Sequence, residues 1–266
     1  MTETQVPPGI ATIYGPPGTL KTSIAMTWPG KVDIYDFDLG AQRGWRVKEF
    51  TESGHVKISR MLLPAKSITT RHQQLEGFMR AWQDFLTKFM ASCEDEEVSA
   101  ISVDTSTMLW SFIQDSYLEE LQQVKFRKQL TQFEFREPNG RMRALFNAVR
   151  AHDKWLILIH HEADEYLPVT MNGRPVLDGD GNQKTTVTGA KVPDGFKHTR
   201  GMSDWIFKTE VLMVPTKDEE TGEVGDRLTG RATIEKSAMG IDLIGLQVNW
   251  FEYGKLEQRL KLLGRV

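Results

Sequence analysis

Residues Ile10–Met26 read IATIYGPPGTLKTSIAM, and this stretch decides how the rest of the chain is read. An apolar run, Ile10 to Tyr14, enters a glycine- and proline-rich turn, followed by Lys21-Thr22 and a helix-like segment. Strand, loop, lysine-hydroxyl pair and helix are the parts of a phosphate-binding P-loop. Glycine lets the backbone N–H groups around Gly15, Gly18 and Thr19 close on phosphate oxygens. The helix that follows points unpaired N–H groups at the anion. Lys21 reaches the β- and γ-phosphates as a point charge, and Thr22 offers its hydroxyl to Mg²⁺. The candidate nucleotide-binding residues are Gly15, Pro16, Pro17, Gly18, Thr19, Leu20, Lys21, Thr22 and Ser23. Leu20 stands where the strict pattern has glycine, and because a Cβ penalises positive φ, leucine here predicts negative φ. The plainer reading, a turn into a helix with a lone exposed lysine, leaves the combination of features unexplained.

Working outward, Val32–Asp36 reads as a second strand ending in Asp36-Phe37-Asp38-Leu39-Gly40, with carboxylates where an α/β sheet opens its crevice. Asp38 is the candidate for orienting or deprotonating an attacking water; the alternative is that both aspartates cap the next turn. Val98–Asp104, followed by Thr105 and Ser106, has the Walker B form, an apolar strand ending in a carboxylate that holds the magnesium shell. Many strands end in Asp, but about 80 residues after a P-loop the two motifs explain each other. Asp104 as a plain cap for a helix over 106–124 is the alternative. Trp155–Ile159 is another apolar strand suited to a buried parallel sheet, and it ends in His160-His161-Glu162. A polar group there could sense hydrolysis. Adjacent histidines point oppositely in a strand, which argues against zinc.

Elsewhere the pattern is structural. Apolar residues at three- and four-residue spacing predict a helix over 70–92, and Met142, Leu145, Phe146 and Val149 make a second stripe. Residues 122–150 carry seven cations, among them Lys125, Arg127 and Lys128, against Glu134 and Glu137, interleaved with Phe126, Phe133 and Phe135. That combination suits single strands, or an ordinary helix surface. Residues 162–201 lack a long hydrophobic period and carry turn signals at Asn172-Gly173 and Asp178–Gly181. With Lys184, Lys191, Lys197 and Arg200 they form a candidate mobile loop or hairpin for binding DNA or a partner. Trp205–Val214 and Arg231–Ile234 read as paired strands, and Phe251–Leu263 as a terminal helix. Thr216-Lys217-Asp218-Glu219 has Glu where the guanine-reading motif needs Asp, which argues against a GTPase.

The 266 residues suit one α/β domain with insertions, residues 1–9 being a short tail and 10–266 the core. A 39% hydrophobic content is enough for a large core, and no apolar run approaches the roughly 20 residues of a membrane span. The N-terminus lacks the basic and apolar regions of a signal peptide, and the lone cysteine, Cys93, excludes an internal disulfide, so a cytoplasmic location without membrane contact is expected. A net charge of −3 means that nucleic-acid binding requires a local patch.

Taken together, GPPGTLKT, YDFD, ISVDTSTMLW, LILIHHE, a mobile loop and a strand ending IEKS resemble the RecA-type ATPases over about residues 10–240. More narrowly the chain resembles phage-encoded RecA-like proteins that include the Sak-group single-strand annealing proteins. The resemblance implies a three-layer α/β P-loop NTPase fold with a mainly parallel twisted sheet and a C-terminal antiparallel extension. It implies ATP and Mg²⁺ as ligands, Thr22 and Asp104 at the metal, and Lys21, Asp38, His160 and Lys236 as catalytic residues. His160 would be the sensor leading into a DNA-binding loop, and Lys236 would enter a neighbour's ATP site. The implied function is ATP-dependent binding or annealing of single-stranded DNA in phage-type recombination within an infected bacterial host. The implied partners are further copies of the chain, with ATP sites at subunit interfaces, and a single-strand DNA-binding protein. Leu20 in place of glycine, Ala238 in place of a second basic residue and Asp38 in place of the usual glutamate predict slow hydrolysis. The alternatives are a nucleotide-gated assembly or loader protein that does not hydrolyse, and a small-molecule phosphotransferase with Arg136, Arg141 and Arg143 as a phosphate clamp.

Overall fold

The computed structural model describes residues 6–44, 46–65, 75–125, 127–171, 174–179, 183–217, 224–249 and 252–265. Five buried or half-buried strands come first: β1 (Ile10–Tyr14), β2 (Lys31–Asp36), β3 (Val56–Arg60), β4 (Val98–Asp104) and β5 (Trp155–His160). Between them lie α1 (Lys21–Ala25), α2 (Val47–Glu52), α3 (Phe78–Glu94), α4 (Ser106–Val124) and α5 (Arg136–Ala151). A hairpin region follows, with β6 (Glu162–Pro168), β7 (Thr170–Met171), β8 (Arg174–Pro175) and β9 (Thr185–Pro193). The chain ends with α6 (Thr199–Met202), β10 (Trp205–Lys217), β11 (Val224–Ser237), β12 (Gln247–Asn249) and α7 (Tyr253–Leu262).

The main sheet has eight strands in the order β12-β11-β10-β1-β5-β4-β2-β3. The strands from β3 to β10 pair in parallel, and β11 and β12 extend the sheet antiparallel. Every residue of β1 and β5 is buried, as expected for central parallel strands covered on both faces. Alternation along them divides the core: Trp155, Ile157 and Ile159 pack on one side with Ile24, Trp28, Phe207 and Leu256, and Leu156 and Leu158 pack on the other with Phe85, Phe112 and Phe146. The stripes expected on α3 and α5 are buried there.

Two expectations require correction. The helix foreseen over 70–92 starts only at Phe78, because Gly77 has φ 84°. Its exposed first amides are satisfied from a distance: Glu119 on α4 accepts from the amides of Gly77 at 2.9 Å and Met79 at 2.6 Å. Residues 70–74 lie outside the described residues. The expected tail is held from residue 6 onward, since Val6 is buried in the core and the Leu156 amide donates to Gly9 O at 3.0 Å.

The rim at the C-terminal ends of the strands carries everything that follows. In register across it stand Tyr14 opposite His160, Ile159 opposite Asp104, and Asp104 opposite Asp36. Two hairpin arms leave the same rim on either side of β1. One is β6–β9, which grows from the end of β5. The other is β10–β11, of which only Trp205–Lys208 pairs with β1. No helix among the described residues is long and apolar enough to cross a membrane.

Candidate functional site

Between β1, β2 and β4 the rim opens into a cleft of about 320 Å³ lined by residues 17–23, Asp38, Gly40, Arg43, Gly44, Asp104, Thr105 and His161. The loop from Gly15 to Leu20 is braced rather than loose. A Cβ on Gly15 would collide with the Thr209 carbonyl of β10, so that position needs glycine. The Thr209 hydroxyl lies 2.7 Å from the Thr19 hydroxyl and donates to Tyr14 O at 3.1 Å, and Thr19 donates to Pro16 O at 2.9 Å. Thr209 is a supporting residue that sequence reasoning missed; no motif marks it, because it arrives from a strand about 190 residues away.

Leu20 contradicts the sequence expectation: its φ is 62° and its ψ 18°, in the left-handed region. Leucine takes a glycine's backbone conformation here, at a cost of about 1–2 kcal/mol. Its side chain lies over Gly230 of β11, 3.4 Å from where a Cβ would stand. Leu20→Gly is therefore expected to raise the urea midpoint, and Leu20→Val, β-branched and worse in this region, to lower it. The reverse order would mean that contact with β11 outweighs the backbone strain.

Lys21, Thr22, Asp38 and Asp104 line one cleft. The Lys21 ammonium donates to Gly15 O at 2.9 Å and Pro16 O at 2.7 Å, so it lies across the loop it would share with phosphate. Burial lowers its pKa, opposed by the charges of Asp104, Glu162 and Asp38. The Thr22 hydroxyl donates to Asp104 Oδ2 at 2.5 Å. Burial pushes the Asp104 carboxyl up to about 7, against the Thr22 bond and with Asp38 and Asp36 adding like charge. A buried carboxylate and a hydroxyl, both hard oxygen donors, suit a magnesium ion that neutralises the cleft.

The two aspartates after β2 divide the roles left open between them. Asp36 is buried and accepts from the amides of Gly40 at 3.2 Å and Ala41 at 3.1 Å, fixing the turn. Asp38 lines the cleft, with Oδ1 accepting from Gly40 N at 2.8 Å and Oδ2 without a partner among the described residues. Asp104 is not the cap of α4; that role falls to Thr105, which accepts from the Met108 amide at 3.3 Å.

His160 and Lys236 stand elsewhere than the cleft lining. His160 is fully buried, with Nδ1 2.6 Å from the Asp194 carbonyl, and burial pushes its pKa down to about 4. His161 is the member of the pair that lines the cleft. The Lys236 ammonium is tied within its own chain, donating to the carbonyls of Arg200, Gly201 and Ser203 at the end of α6. The clamp candidates on α5 do not line the cleft either, and Arg141 is held by Glu120 and Glu137 between the rings of Trp82 and Tyr117.

Within residues 162–201, β6 and β9 pair as one arm, and the cations of this segment are less available than their number suggests. Lys191 pairs with Asp164 at 2.8 Å and Arg200 with Glu165 at 3.4 Å, both acids on β6. Lys184 and Lys197 are exposed and unpaired among the described residues. The arm also exposes Tyr166, Leu167 and Val187. Just past its return strand the chain is tied to the rim, since the Asp194 carbonyl accepts from His160 and, at 3.1 Å, from Thr107, three residues beyond Asp104. The turn signals at Asn172-Gly173 and Gly181, the residue Phe126, and Asp218-Glu219 of the guanine comparison lie outside the described residues. The chain matches no protein-family model, and no curated protein matches it in sequence.

Proposed function

We propose that the chain is a magnesium-dependent ATPase of the P-loop, RecA-like type whose nucleotide state is read out by the hairpin arms, with single-stranded DNA as the partner. The observation that carries the first half is the Thr22–Asp104 hydrogen bond in the same cleft as Lys21, two motifs far apart in sequence meeting as a P-loop and a Walker B carboxylate must. Thr22 and Asp104 would hold Mg²⁺, which would screen charge on the β- and γ-phosphates.

The chain's own residues do the rest. Lys21 exchanges its carbonyl acceptors for phosphate oxygens and keeps its charge. Asp38 Oδ2 accepts from the attacking water and aligns it. The water oxygen bonds to the γ-phosphorus while the bond to the bridging oxygen breaks, the electron pair staying on ADP and the proton leaving by way of Asp38. The grouping of Lys21, Thr22, Asp38 and Asp104 in one cleft lining supports this assignment of roles.

The DNA half draws on the resemblance and on the arm, whose exposed Tyr166 offers a stacking face, together with Lys184 just before β9 and Lys197 just after it, both unpaired among the described residues. A homo-oligomer with shared ATP sites remains part of this reading, with the difference that Lys236 must first leave three carbonyls of its own chain.

ATP turnover with and without single-stranded oligonucleotide tests the whole. Acceleration by DNA is expected, and Lys197→Glu should weaken oligonucleotide binding more than Lys191→Glu, whose wild-type charge is already paired. Turnover indifferent to DNA would favour a nucleotide-gated assembly or loader protein instead.

A further inference from the structure

We propose that Arg43 is a catalytic residue acting within its own chain, its guanidinium engaging the γ-phosphate of bound ATP and stabilising charge as that phosphate is transferred to water. This rests on the ATPase reading above, and it adds a cation already in place in the chain that binds the nucleotide.

Arg43 lines the same cleft as Lys21, Thr22, Asp38 and Asp104. Among the described residues its side chain has neither an ion pair nor a hydrogen bond. It is exposed, and it shares the lack of a carboxylate partner among the described residues with Arg80, Arg136 and Arg143; what separates it from them is its place in the cleft lining. Even Asp38, in the same cleft, does not hold it. A guanidinium without a carboxylate, in a cleft that also holds Lys21, leaves positive charge for an anion to meet.

Its support is rigid. Arg43 ends a 3₁₀ turn, Ala41–Arg43, whose first amides are gripped by the buried Asp36 carboxylate. The Arg43 amide donates to Gly40 O at 3.0 Å, and that of Gly44 to Ala41 O at 3.1 Å. Gly44 leans on the P-loop helix, where a Cβ would stand 3.4 Å from Ser23 Oγ. The turn therefore holds Arg43 and Asp38 on the β2 side of the cleft, while Lys21 and Thr22 approach from the β1 side. A γ-phosphate between them would take Lys21 on one side and the guanidinium fork on the other, a geometry that a planar two-pronged donor suits better than an ammonium. Arg43 takes no part in the proton transfer; the water proton leaves by way of Asp38, and the electron pair of the broken bond stays on ADP.

The test compares Arg43→Ala, Arg43→Lys and Lys21→Ala in the full chain, measuring turnover and the affinities for Mg·ADP and for Mg-bound β,γ-imido ATP. Arg43→Ala should leave ADP affinity within about twofold, weaken the triphosphate analogue about tenfold and lower kcat by about 100-fold or more. Arg43→Lys should recover most of the analogue binding and little of the turnover. An Arg43→Ala chain with unchanged turnover, or with equal losses for ADP and the analogue, overturns the assignment. If Lys21→Ala loses both nucleotides while Arg43→Ala behaves as wild type, the Arg43 role alone is wrong. If Lys21→Ala keeps both, the P-loop reading fails and the Arg43 role with it.

Discussion

Lys21→Ala should reduce Mg·ATP affinity by a factor on the order of 100 to 1,000, the loss expected when a charge-assisted contact to phosphate disappears from a partly buried site. Folding should be little affected. Burial lowers the Lys21 pKa, so its charge is a burden on the nucleotide-free protein, and of the two acceptors it leaves, Pro16 O keeps the Thr19 hydroxyl as a donor. Lys21→Met, which keeps the aliphatic stem, should behave the same way. The measurement is a fluorescent-ATP titration, with thermal denaturation as a control for structure. Retained affinity in a folded variant would remove the phosphate-binding role of the loop.

Asp104→Asn should separate stability from function in opposite directions. The Asp104 carboxyl has a folded pKa of about 7, raised chiefly by burial. A raised carboxyl pKa means that ionisation opposes folding. The penalty is absent below the unfolded value near 4, grows as pH rises through the interval up to about 7, and is constant above it. Asparagine carries no such penalty and can still accept from Thr22. At pH 8 the nucleotide-free variant should therefore exceed the wild type by on the order of 2–4 kcal/mol, several degrees in Tm, and at pH 4 the advantage should vanish. With Mg²⁺ and ATP the order should invert, because only the wild type offers the metal a carboxylate. Thermal denaturation at the two pH values, with and without Mg·ATP, reads all of this. A variant less stable than wild type at pH 8 without nucleotide would contradict the electrostatics of the cleft.

Much of this site is legible in sequence for a physical reason. Strands buried on both faces read as continuous apolar runs, so β1, β4 and β5 are visible together with the polar residues that end them. Lys21, Thr22, Asp38 and Asp104 can be placed on one rim because parallel strands carry their C-terminal residues to the same edge. What escaped detection depends on contacts distant in sequence or on angles that no residue type dictates. Glu119 caps α3 from another helix, which moves the start of the stripe-bearing helix. Leu20 holds a positive φ within a loop braced by Thr209. One histidine of an adjacent pair must point inward, and the pattern does not say which; β5 runs through His160 and buries it, leaving His161 to the cleft. The cations of residues 162–201 look free in a count of charges, yet pairing β6 with β9 sets Asp164 opposite Lys191. Arg43 has no motif, and only the packing of its turn on α1 brings it to the cleft.

The central claim is that Lys21, Thr22 and Asp104 together make one magnesium-triphosphate site. Calorimetric titration of the unaltered chain with ATP, in the presence of Mg²⁺ and again with the metal chelated, tests it most directly. A single saturable site per chain, with affinity at least about tenfold weaker without the metal, is predicted. No saturable heat, or binding of equal strength with the metal removed, would contradict it.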